Sequence, residues 1–482
     1  MQFDSLLPFS GRGAGALCGL LLGLALLGGT AAQAQTRAGE VQHLQGMATA
    51  QQSNGAVRFL VKGDAILEGD TLTTTEKGFA VVQLGDGSKI TLRPATVFAV
   101  ERFAQDQANE GAVLRLFKGG MRAISGLINR RNPGAMEVRT STATIGIRGT
   151  SFDARLCGDD CRLEDNAALS HSKPATAVPP ADSVVARVVS VRGEAAAVQT
   201  GKSPRRLVDG APLYAGDEVK TAADGIAVIG FRDETRLSLN PETAFRITGF
   251  SYRNPNASDN IALQILRGGL RVFTGLIAKS DPKSMSLRTR LSTIGIRGTG
   301  MDISCEGPCA EDGPDTPTSA TPAQGEGLFM VTWLGLTYFG PPASDLDIPL
   351  GQAGFVGTAR VARLLDGVPA FMLNFAAPRP DGLSIDWQQL FGAIPASGED
   401  GLYVFVRDGA VSLRTGRGVS ELGIGETGFL GADGLPRRLE GVPRFMSDDP
   451  FPIPELFSQP ETRILQMFGT TLGQPGQEIC RL

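Results

Sequence analysis

One heptapeptide occurs twice in this chain. Residues 144–150 read Thr144-Ile145-Gly146-Ile147-Arg148-Gly149-Thr150, and residues 293–299 repeat it without a change. Alternation along a strand would place Ile145 and Ile147 on a buried face and Thr144, Gly146 and Arg148 on the other. Gly146 would leave room for a neighbouring group, and Gly149 would supply a bend. The spacing matches neither a dinucleotide-binding glycine motif nor a P-loop, so we interpret the heptapeptide as a structural corner.

The heptapeptide closes a longer internal repeat. Residues spaced 147 and then 149 positions apart match throughout, from Gly46 with Gly193 to Gly126 with Gly275. A shorter repeat with an offset of 74 follows, and it matches Gly351 with Gly425 and Pro369 with Pro443. The chain therefore consists of two long units, A1 and A2, followed by two short units, B1 and B2.

Both kinds of unit have the pattern of short strands. In A1, residues 79–84 and 89–92 flank a Gly-Asp-Gly-Ser turn, and residues 227–231 and 235–239 repeat this hairpin in A2. In B2, residues 402–406 and 410–413 flank Arg407-Asp408-Gly409, which predicts a further strand–turn–strand. We predict an all-β fold of tandem short-stranded modules, solenoid-like or of the jelly-roll or sandwich type, with minor helices.

The repeats and the proline-rich stretches between them define the expected domains. We expect short helices at 384–393 and around 460–468, and extended linkers at 162–182 and 310–326. The predicted order is signal peptide 1–34, A1 38–161, proline-rich linker 162–182, A2 183–309, acidic proline-rich linker 310–326, B1 327–372, connector 373–400, B2 401–446 and tail 447–482.

The amino-acid composition excludes several classes of function. The 482 residues include 62 Gly and 29 Pro, yet 42% are hydrophobic, which is enough for a buried core. A net charge of −4 gives no reason to expect nucleic acid as a partner. The only two histidines are His43 and His171. Two histidines are too few for a multi-histidine metal site. We expect no catalytic residue, metal or cofactor.

The N-terminus predicts export. An apolar stretch from Ala14 to Gly29 is followed by Ala32-Gln33-Ala34, the small–x–small pattern of a cleavage site. The stretch is shorter than the ~20 residues that a membrane-spanning helix needs, and no later segment is apolar enough to span. We therefore expect cleavage after Ala34, a periplasmic location and no transmembrane span in the mature chain.

The cysteines fit an oxidising compartment. Cys157 with Cys161, and Cys305 with Cys309, form two C-x3-C pairs that we interpret as local disulfides. Free thiols or a metal or redox site are the alternatives. Cys480 has no partner in this scheme, and its redox state stays open.

A band of cations recurs in both A units. Alternate residues would share one sheet face, and such a face would suit an acidic partner. The alternatives are an ordinary solvated face or an internal acidic partner, for which Glu164-Asp165 and Glu311-Asp312 are candidates. The candidate partner-binding residues are Arg122, Arg130, Arg131, Arg148, Arg271, Lys279, Lys283 and Arg297.

The heptapeptide and its surroundings resemble the FecR-type periplasmic domain. The resemblance rests on residues 144–152 and 293–302 and on the upstream Gly69-Asp70 and Gly119-Gly120, and it extends over both A units. Residues 422–428, with the pattern Leu-x-x-Gly-Glu-x-Gly, resemble the segment that often follows this domain. The resemblance implies an all-β periplasmic module that receives a signal from a TonB-dependent receptor and passes it to a sigma factor.

The chain departs from that regulator plan, because at most 13 residues precede the apolar stretch and leave no space for a cytoplasmic anti-sigma segment. Our leading hypothesis is therefore a non-enzymatic envelope protein that binds another envelope protein or an anionic envelope polymer. A periplasmic sensor in TonB-receptor-linked signalling is the alternative, followed by an unrecognised cell-wall enzyme. The sequence does not reveal the oligomeric state or which B unit packs on which A unit.

Overall fold

The structure is a computed structural model that describes residues 36–106, 109–168, 184–253, 258–312, 326–396 and 398–454. The predicted signal peptide, His171, the predicted helix around 460–468 and Cys480 lie outside these residues. The described chain from Thr36 onward belongs to one compact unit.

A1 consists of eleven strands and two helices in its described part. They are β1 (Arg37–Gln45), β2 (Ala48–Gln51), β3 (Val57–Phe59), β4 (Ala65–Leu67), β5 (Thr71–Thr74), β6 (Phe79–Leu84), β7 (Lys89–Leu92), β8 (Val97–Ala104), β9 (Gly111–Ile124), α1 (Leu127–Arg131), β10 (Met136–Arg139), β11 (Thr144–Cys157) and α2 (Asp159–Ala168).

A2 repeats this order strand for strand. Its elements are β12 (Val184–Arg192), β13 (Ala195–Val198), β14 (Arg205–Arg206), β15 (Pro212–Tyr214), β16 (Glu218–Thr221), β17 (Ile226–Phe231), β18 (Arg236–Leu239), β19 (Ala244–Ser251), β20 (Asn260–Phe273), α3 (Leu276–Ser280), β21 (Met285–Arg288) and β22 (Thr293–Glu306).

The B units also repeat one another. B1 and the connector contain β23 (Gly327–Gly340), β24 (Leu346–Ile348), β25 (Ala353–Val356), β26 (Ala362–Leu364), α4 (Ala370–Leu373) and α5 (Trp387–Phe391). B2 contains β27 (Gly401–Thr415), β28 (Gly418–Leu422), β29 (Thr427–Leu430), β30 (Pro436–Leu439) and α6 (Arg444–Ser447). The all-β fold with minor helices is confirmed.

The predicted A-unit hairpins are confirmed in both copies. β6 pairs with β7 from Ala80 opposite Leu92 to Gln83 opposite Lys89, and β17 pairs with β18 in the same way. The Gly119-Gly120 pair also has a structural reason. Gly119 has φ of 80°, and a Cβ there would lie 2.8 Å from the Cα of Thr96, so the close approach of β8 and β9 requires glycine.

The pairing of A and B units is nested in sequence order. β11 of A1 pairs antiparallel with β27 of B2, from Thr144 opposite Arg414 to Cys157 opposite Gly401. β22 of A2 pairs in the same way with β23 of B1. In the described part, A1 and B2 thus form one 15-stranded sheet and A2 and B1 form another. We call the A1·B2 pair the outer half and the A2·B1 pair the inner half.

Each half has its own hydrophobic core across the A–B pairing. In the outer half, Ile145, Ile147 and Phe152 of β11 are fully buried with Val404 and Val411 of β27. Burying each such side chain stabilises the fold by roughly 1.5–3 kcal/mol relative to leaving it exposed. The B strand therefore completes the core of its A unit.

The predicted turn in B2 was wrong. Residues 401–415 form one continuous strand, although Arg407-Asp408-Gly409 has the composition of a turn. The pairing register shifts between Arg148, which is opposite Ala410 of β27, and Ser151, which is opposite Asp408. Gly409 and Gly149 have φ of 81° and 65° and both lie within this bulge, so the strand continues through it.

The linker at 162–182 is helical where it is described. Residues 162–168 belong to α2, which corrects the prediction of an extended segment. The helix is fixed by Arg155, which contacts Glu164 at 2.6 Å and Asp160 at 3.0 Å. The predicted helix at 384–393 is confirmed as α5, whose N-cap Asp386 accepts a hydrogen bond from the N–H of Gln389. The other unit boundaries stay predictions.

Candidate interaction site

The repeated heptapeptide lies at the junction of each A unit with its B strand. In A2, the ring of Tyr338 on β23 covers Gly295, where a Cβ would come within 1.8 Å of the ring. In A1, the equivalent Gly146 faces Ser412, whose Cβ would be 3.6 Å away. The glycine therefore leaves room for the B strand. Gly149 marks the bulge, but β11 continues beyond it to Cys157.

The outer half buries a cluster of opposite charges behind this strand. Asp153 on β11 accepts from Arg407 at 2.7 Å and lies 3.4 Å from Arg122. Arg122 is only 4% exposed, and its Nε lies 3.5 Å from Asp449, which also pairs with Arg93. A1 contributes both signs of charge to this buried cluster, B2 contributes Arg407 and the segment after B2 contributes Asp449, so the cluster links these parts more specifically than apolar packing alone.

The inner half has an aromatic version of the same cluster. Asp302 lies 3.1 Å from Arg271 and accepts from the indole N–H of Trp333 at 2.8 Å. Trp333 occupies the position that Arg407 has in the outer half, and the guanidinium of Arg379 lies 3.8 Å from its ring centroid. Burial raises the pKa of Asp302, although the nearby Arg271 opposes this effect.

The eight predicted basic residues do not share one exposed face. Arg122 and Arg271 are buried in the two clusters, and Arg148 pairs with Glu421 at 3.2 Å. The remaining described side chains are exposed on or beside α1 and α3: Arg130 and Arg131 in A1, and Lys279 and Lys283 in A2. Among these four, Arg130 and Lys279 occupy equivalent positions of the two units. The side chain of Arg297 lies outside the described part.

Internal acidic partners account for part of the cation band. Glu164 lies 2.6 Å from Arg155 and 3.2 Å from Arg93. Glu311 lies 3.9 Å from Arg246. Asp312 lies 3.9 Å from Arg267. The acidic residues that follow each A unit therefore fold back on that unit's arginines.

A third cluster joins the two halves. Arg187 of A2 is fully buried and pairs with Glu426 of B2, and its guanidinium donates to the carbonyl of Glu421 at 2.9 Å. Arg438 lies 3.9 Å from Glu426. Burial by itself would raise the pKa of Glu426, but the two arginines outweigh it and lower the pKa.

Tyr214 adds a hydrogen bond to this junction. Its hydroxyl accepts from the N–H of Ile424 at 3.0 Å, and burial raises its pKa to about 12. Sequence reasoning missed the junction. The available signal was that the motif Leu-x-x-Gly-Glu-x-Gly has Glu426 in B2 where B1 has Gln352.

Both predicted disulfides are present. Cys157 bonds to Cys161 with a Cα–Cα distance of 5.5 Å, and Cys305 bonds to Cys309 with 5.1 Å. The first closes the turn from β11 into α2, and the second closes the end of β22. In the described ranges, no group of three His, Cys, Asp or Glu side chains is arranged to hold a metal ion.

Two surface pockets lie away from these clusters. One, of about 420 Å³, lies between the β6–β7 turn and α1 and is bordered by Lys89 and Arg130. The other, of about 330 Å³, lies between Tyr403 of β27 and Phe445 of α6.

His43, one of the two histidines, packs against Phe79, and the centroids of the two rings are 5.4 Å apart. Burial lowers the pKa of His43, and the positive charge of Lys62 lowers it further.

Comparison with protein families identifies the A units. The model described as "FecR protein" matches residues 70–166 and again residues 217–313. This chain carries two tandem FecR domains. Each FecR match begins at a buried aspartate, Asp70 or Asp217, and ends beyond the disulfide of its unit.

The matches leave out the B units. The last strand of each FecR domain, β11 or β22, therefore pairs with a strand that lies outside the matched region. No helix of the described residues is both long and apolar enough to cross a membrane.

Other comparisons cover less of the chain. Comparison with curated proteins found no match. A solved structure described as a cell surface anchoring domain is 29% identical over 13% of this chain and 82% of its own, with a TM-score of 0.13. Two structures of a candidate anti-sigma factor from Parabacteroides distasonis ATCC 8503 are 14% and 15% identical, with a TM-score of 0.23 each. This chain covers 60% of their length, and they cover 32% of this chain.

Proposed function

We propose that this protein is an exported, non-enzymatic protein of the cell envelope that acts by binding other macromolecules through its two FecR domains. The observation that carries the proposal is the pair of FecR matches in tandem, each in a unit that the chain closes with a B strand of its own. The location is periplasmic, in line with the predicted signal peptide at 1–34 and with two disulfides.

The binding surface of this proposal is the pair of exposed basic segments around α1 and α3. Arg130 in the first FecR domain and Lys279 in the second lie at equivalent positions of a duplicated fold, and Arg131 and Lys283 add a further exposed cation to each segment. Arg131 is 58% exposed even though it lies 3.2 Å from Glu110. Two similarly charged sites on one protein suit an acidic protein surface or an anionic envelope polymer, because two weak contacts act together.

The FecR matches also support a second function, a sensor or regulator in signalling from a TonB-dependent receptor. In that case, the partner is the receptor or an inner-membrane regulator, and binding changes the state of that partner. The two functions share the binding chemistry and differ in the identity of the partner.

The test is in-cell crosslinking of the tagged full chain, followed by mass spectrometry of its partners. A variant with Arg130, Arg131, Lys279 and Lys283 changed to Glu should lose the main partner. A control variant changes four exposed cations elsewhere to Glu, namely Lys77, Arg192, Lys202 and Arg417, and should keep it.

The identity of the partner separates the two functions. A TonB-dependent receptor or an inner-membrane regulator would support the sensor, whereas outer-membrane or secretion components or lipopolysaccharide would support the binding scaffold. Retention of every partner by the α1/α3 variant would contradict the basic segments as the binding surface.

A further inference from the structure

The first FecR domain ends its sheet in an exposed apolar strand. β3 lies at the edge of the outer sheet, and among the strands of the described ranges it pairs with β2 alone. Val57, Phe59 and Val61 alternate along one face and are 61%, 74% and 61% exposed. Met47, which precedes β2, is 60% exposed as well. An edge strand with large apolar side chains in water is a site where another chain can pair.

The backbone of β3 is also available on its outer side. Gln52 donates to the carbonyl of Ala56, and Leu60 donates to the carbonyl of Ala48, so the even-numbered residues turn their polar groups toward β2. Hydrogen-bonding direction alternates in an antiparallel pair. Val57 and Phe59 therefore point their N–H and C=O groups away from the sheet, at the spacing that an added strand needs.

The second FecR domain provides an internal comparison at the same position. There the equivalents of Met47, Val57 and Phe59 are Glu194, Pro204 and Arg206, all exposed. Proline has no N–H to donate, and charges oppose apolar pairing, so the β14 edge carries the usual protection against strand addition. The paired interior residues are unchanged, since Arg58 contacts Asp70 at 2.5 Å and Arg205 pairs with Asp217.

The edge beside each heptapeptide is not available to a partner. The chain's own strands β27 and β23 pair along nearly the full length of β11 and β22. A partner strand would therefore have to use another edge, and β3 lacks the protection that its duplicate β14 has.

The size of the exposed strip determines the occupant. β3 itself, residues 57–59, extends over about 10 Å, and Val61 follows it in a turn with Asp64. A stable interface between two globular surfaces buries about 1,200 Å² or more, which so short an edge does not offer to a second copy or to a whole domain. One extended peptide needs only backbone hydrogen bonds and a few side-chain contacts.

We propose that the β3 edge binds an extended segment of a partner protein, which adds to the outer sheet as a further strand. The segment has apolar, uncharged side chains at alternate positions, where they meet Val57, Phe59 and Val61. The inference rests on the proposed function only in that a partner protein supplies the segment.

The test is fluorescence anisotropy with the purified full chain and a labelled nine-residue peptide that has valine at alternate positions and threonine between them. The expected result is saturable binding that becomes at least tenfold weaker in Phe59→Arg, which copies the residue of the second domain. Arg206→Ala is the matched control and should bind like the unchanged chain. Because Phe59 is 74% exposed, its replacement should leave the thermal midpoint unchanged.

A second peptide separates strand addition from apolar adhesion. N-methylation of alternate residues on the pairing side removes its hydrogen-bond donors and should abolish binding. Equal binding of the methylated peptide, equal binding by Phe59→Arg, or no saturable binding would each overturn the proposal. A dimer of the unchanged chain that Phe59→Arg dissociates would overturn it in favour of a second copy. None of these outcomes affects the crosslinking test of the basic segments.

Discussion

Glu426 is the residue on which the contact between the two halves depends most directly. It is buried between Arg187 and Arg438, and it also accepts from the N–H of Gly423 at 2.7 Å. Burial, together with the charge of Arg187, lowers the pKa of Arg438 to about 10, and Glu426 opposes that shift. Without this carboxylate, the positive charges of Arg187 and Arg438 would be buried without Glu426 to balance them. Breaking a buried ion pair is costly for this reason.

Replacing Glu426 by glutamine should therefore lower the free energy of unfolding at pH 7 by about 3 kcal/mol. The pKa of Glu426 is lowered from its ordinary value of 4.5. Its stabilising effect is thus complete above about pH 4.5 and is lost as the pH falls through the lowered folded-state pKa. Denaturant unfolding at several pH values should show the difference between Glu426→Gln and the unchanged chain shrinking toward acid pH.

The matched control is Gln352→Glu, which places the same carboxylate at the equivalent but exposed position of B1. It should leave stability unchanged. A Glu426→Gln variant as stable as the unchanged chain at pH 7 would show that the junction does not depend on this charge.

At this scale, the sequence predicted the disulfides and the acidic residues that pair within each A unit, but not the ion pairs between distant parts of the chain. Cys157 and Cys161 are four residues apart, so their spacing alone brings them together. Arg122 meets Asp449, and Arg187 meets Glu426, across hundreds of residues. A run of cations along the chain does not show which of them will be neutralised by a distant carboxylate, and the basic face was predicted too large for that reason.

Among the elements, β11 and β27 show how strand and turn signals compete. The alternation of Ile145 and Ile147 predicted the start of β11, and the hairpin β6–β7 was predicted with its bounds. Asp408-Gly409 suggested a turn because these residues favour tight corners. In the structure, β11 pairs with β27 on both sides of Gly409, so the chain continues as one strand. A local motif does not show whether such a long partner strand is present.

A disulfide across β11 and β27 should form where their side chains meet. The ideal Cβ of Gly146 lies 3.6 Å from the Cβ of Ser412, within the usual range for a disulfide of about 3.5–4.5 Å. We expect the double variant Gly146→Cys/Ser412→Cys to oxidise, as detected by peptide mapping under non-reducing conditions.

The control for this pair is Gly146→Cys/Tyr338→Cys, because Tyr338 is the residue of B1 equivalent to Ser412. The two cysteines of the control lie in different halves and should stay reduced. Oxidation of the control and not of the Gly146→Cys/Ser412→Cys variant would mean that A1 pairs with B1.

At the scale of the whole molecule, the inner half is an insertion in the outer half. A2 and B1 are neighbours in the chain and form one sheet, whereas A1 and B2 are separated by all of A2 and B1. The internal repeats predicted four units in the right order, but they are symmetric and contain no information on which A meets which B. Only the long pairings of β22 with β23 and of β11 with β27 distinguish the two arrangements.

Removing B2 should therefore loosen A1 and leave the pairing of A2 with B1 in place. In a chain that ends after residue 396, β11 loses its partner β27, while β22 keeps β23. Amide exchange should accelerate about a hundredfold along β11 and stay slow along β22, which serves as the control within the same sample. Unchanged protection of β11 would contradict the nested arrangement.

The nested pairing also determines the order in which the two halves can be completed during synthesis. A ribosome makes A1 first, yet the strand that covers its last edge, β27, is made after A2 and B1. The inner half can close as soon as β23 emerges, so the half that is completed first is not the half whose synthesis began first. Until β27 has been made, the edge of β11 that pairs with β27 has no partner strand. A chaperone that protects unpaired strands would therefore be needed longest at this edge.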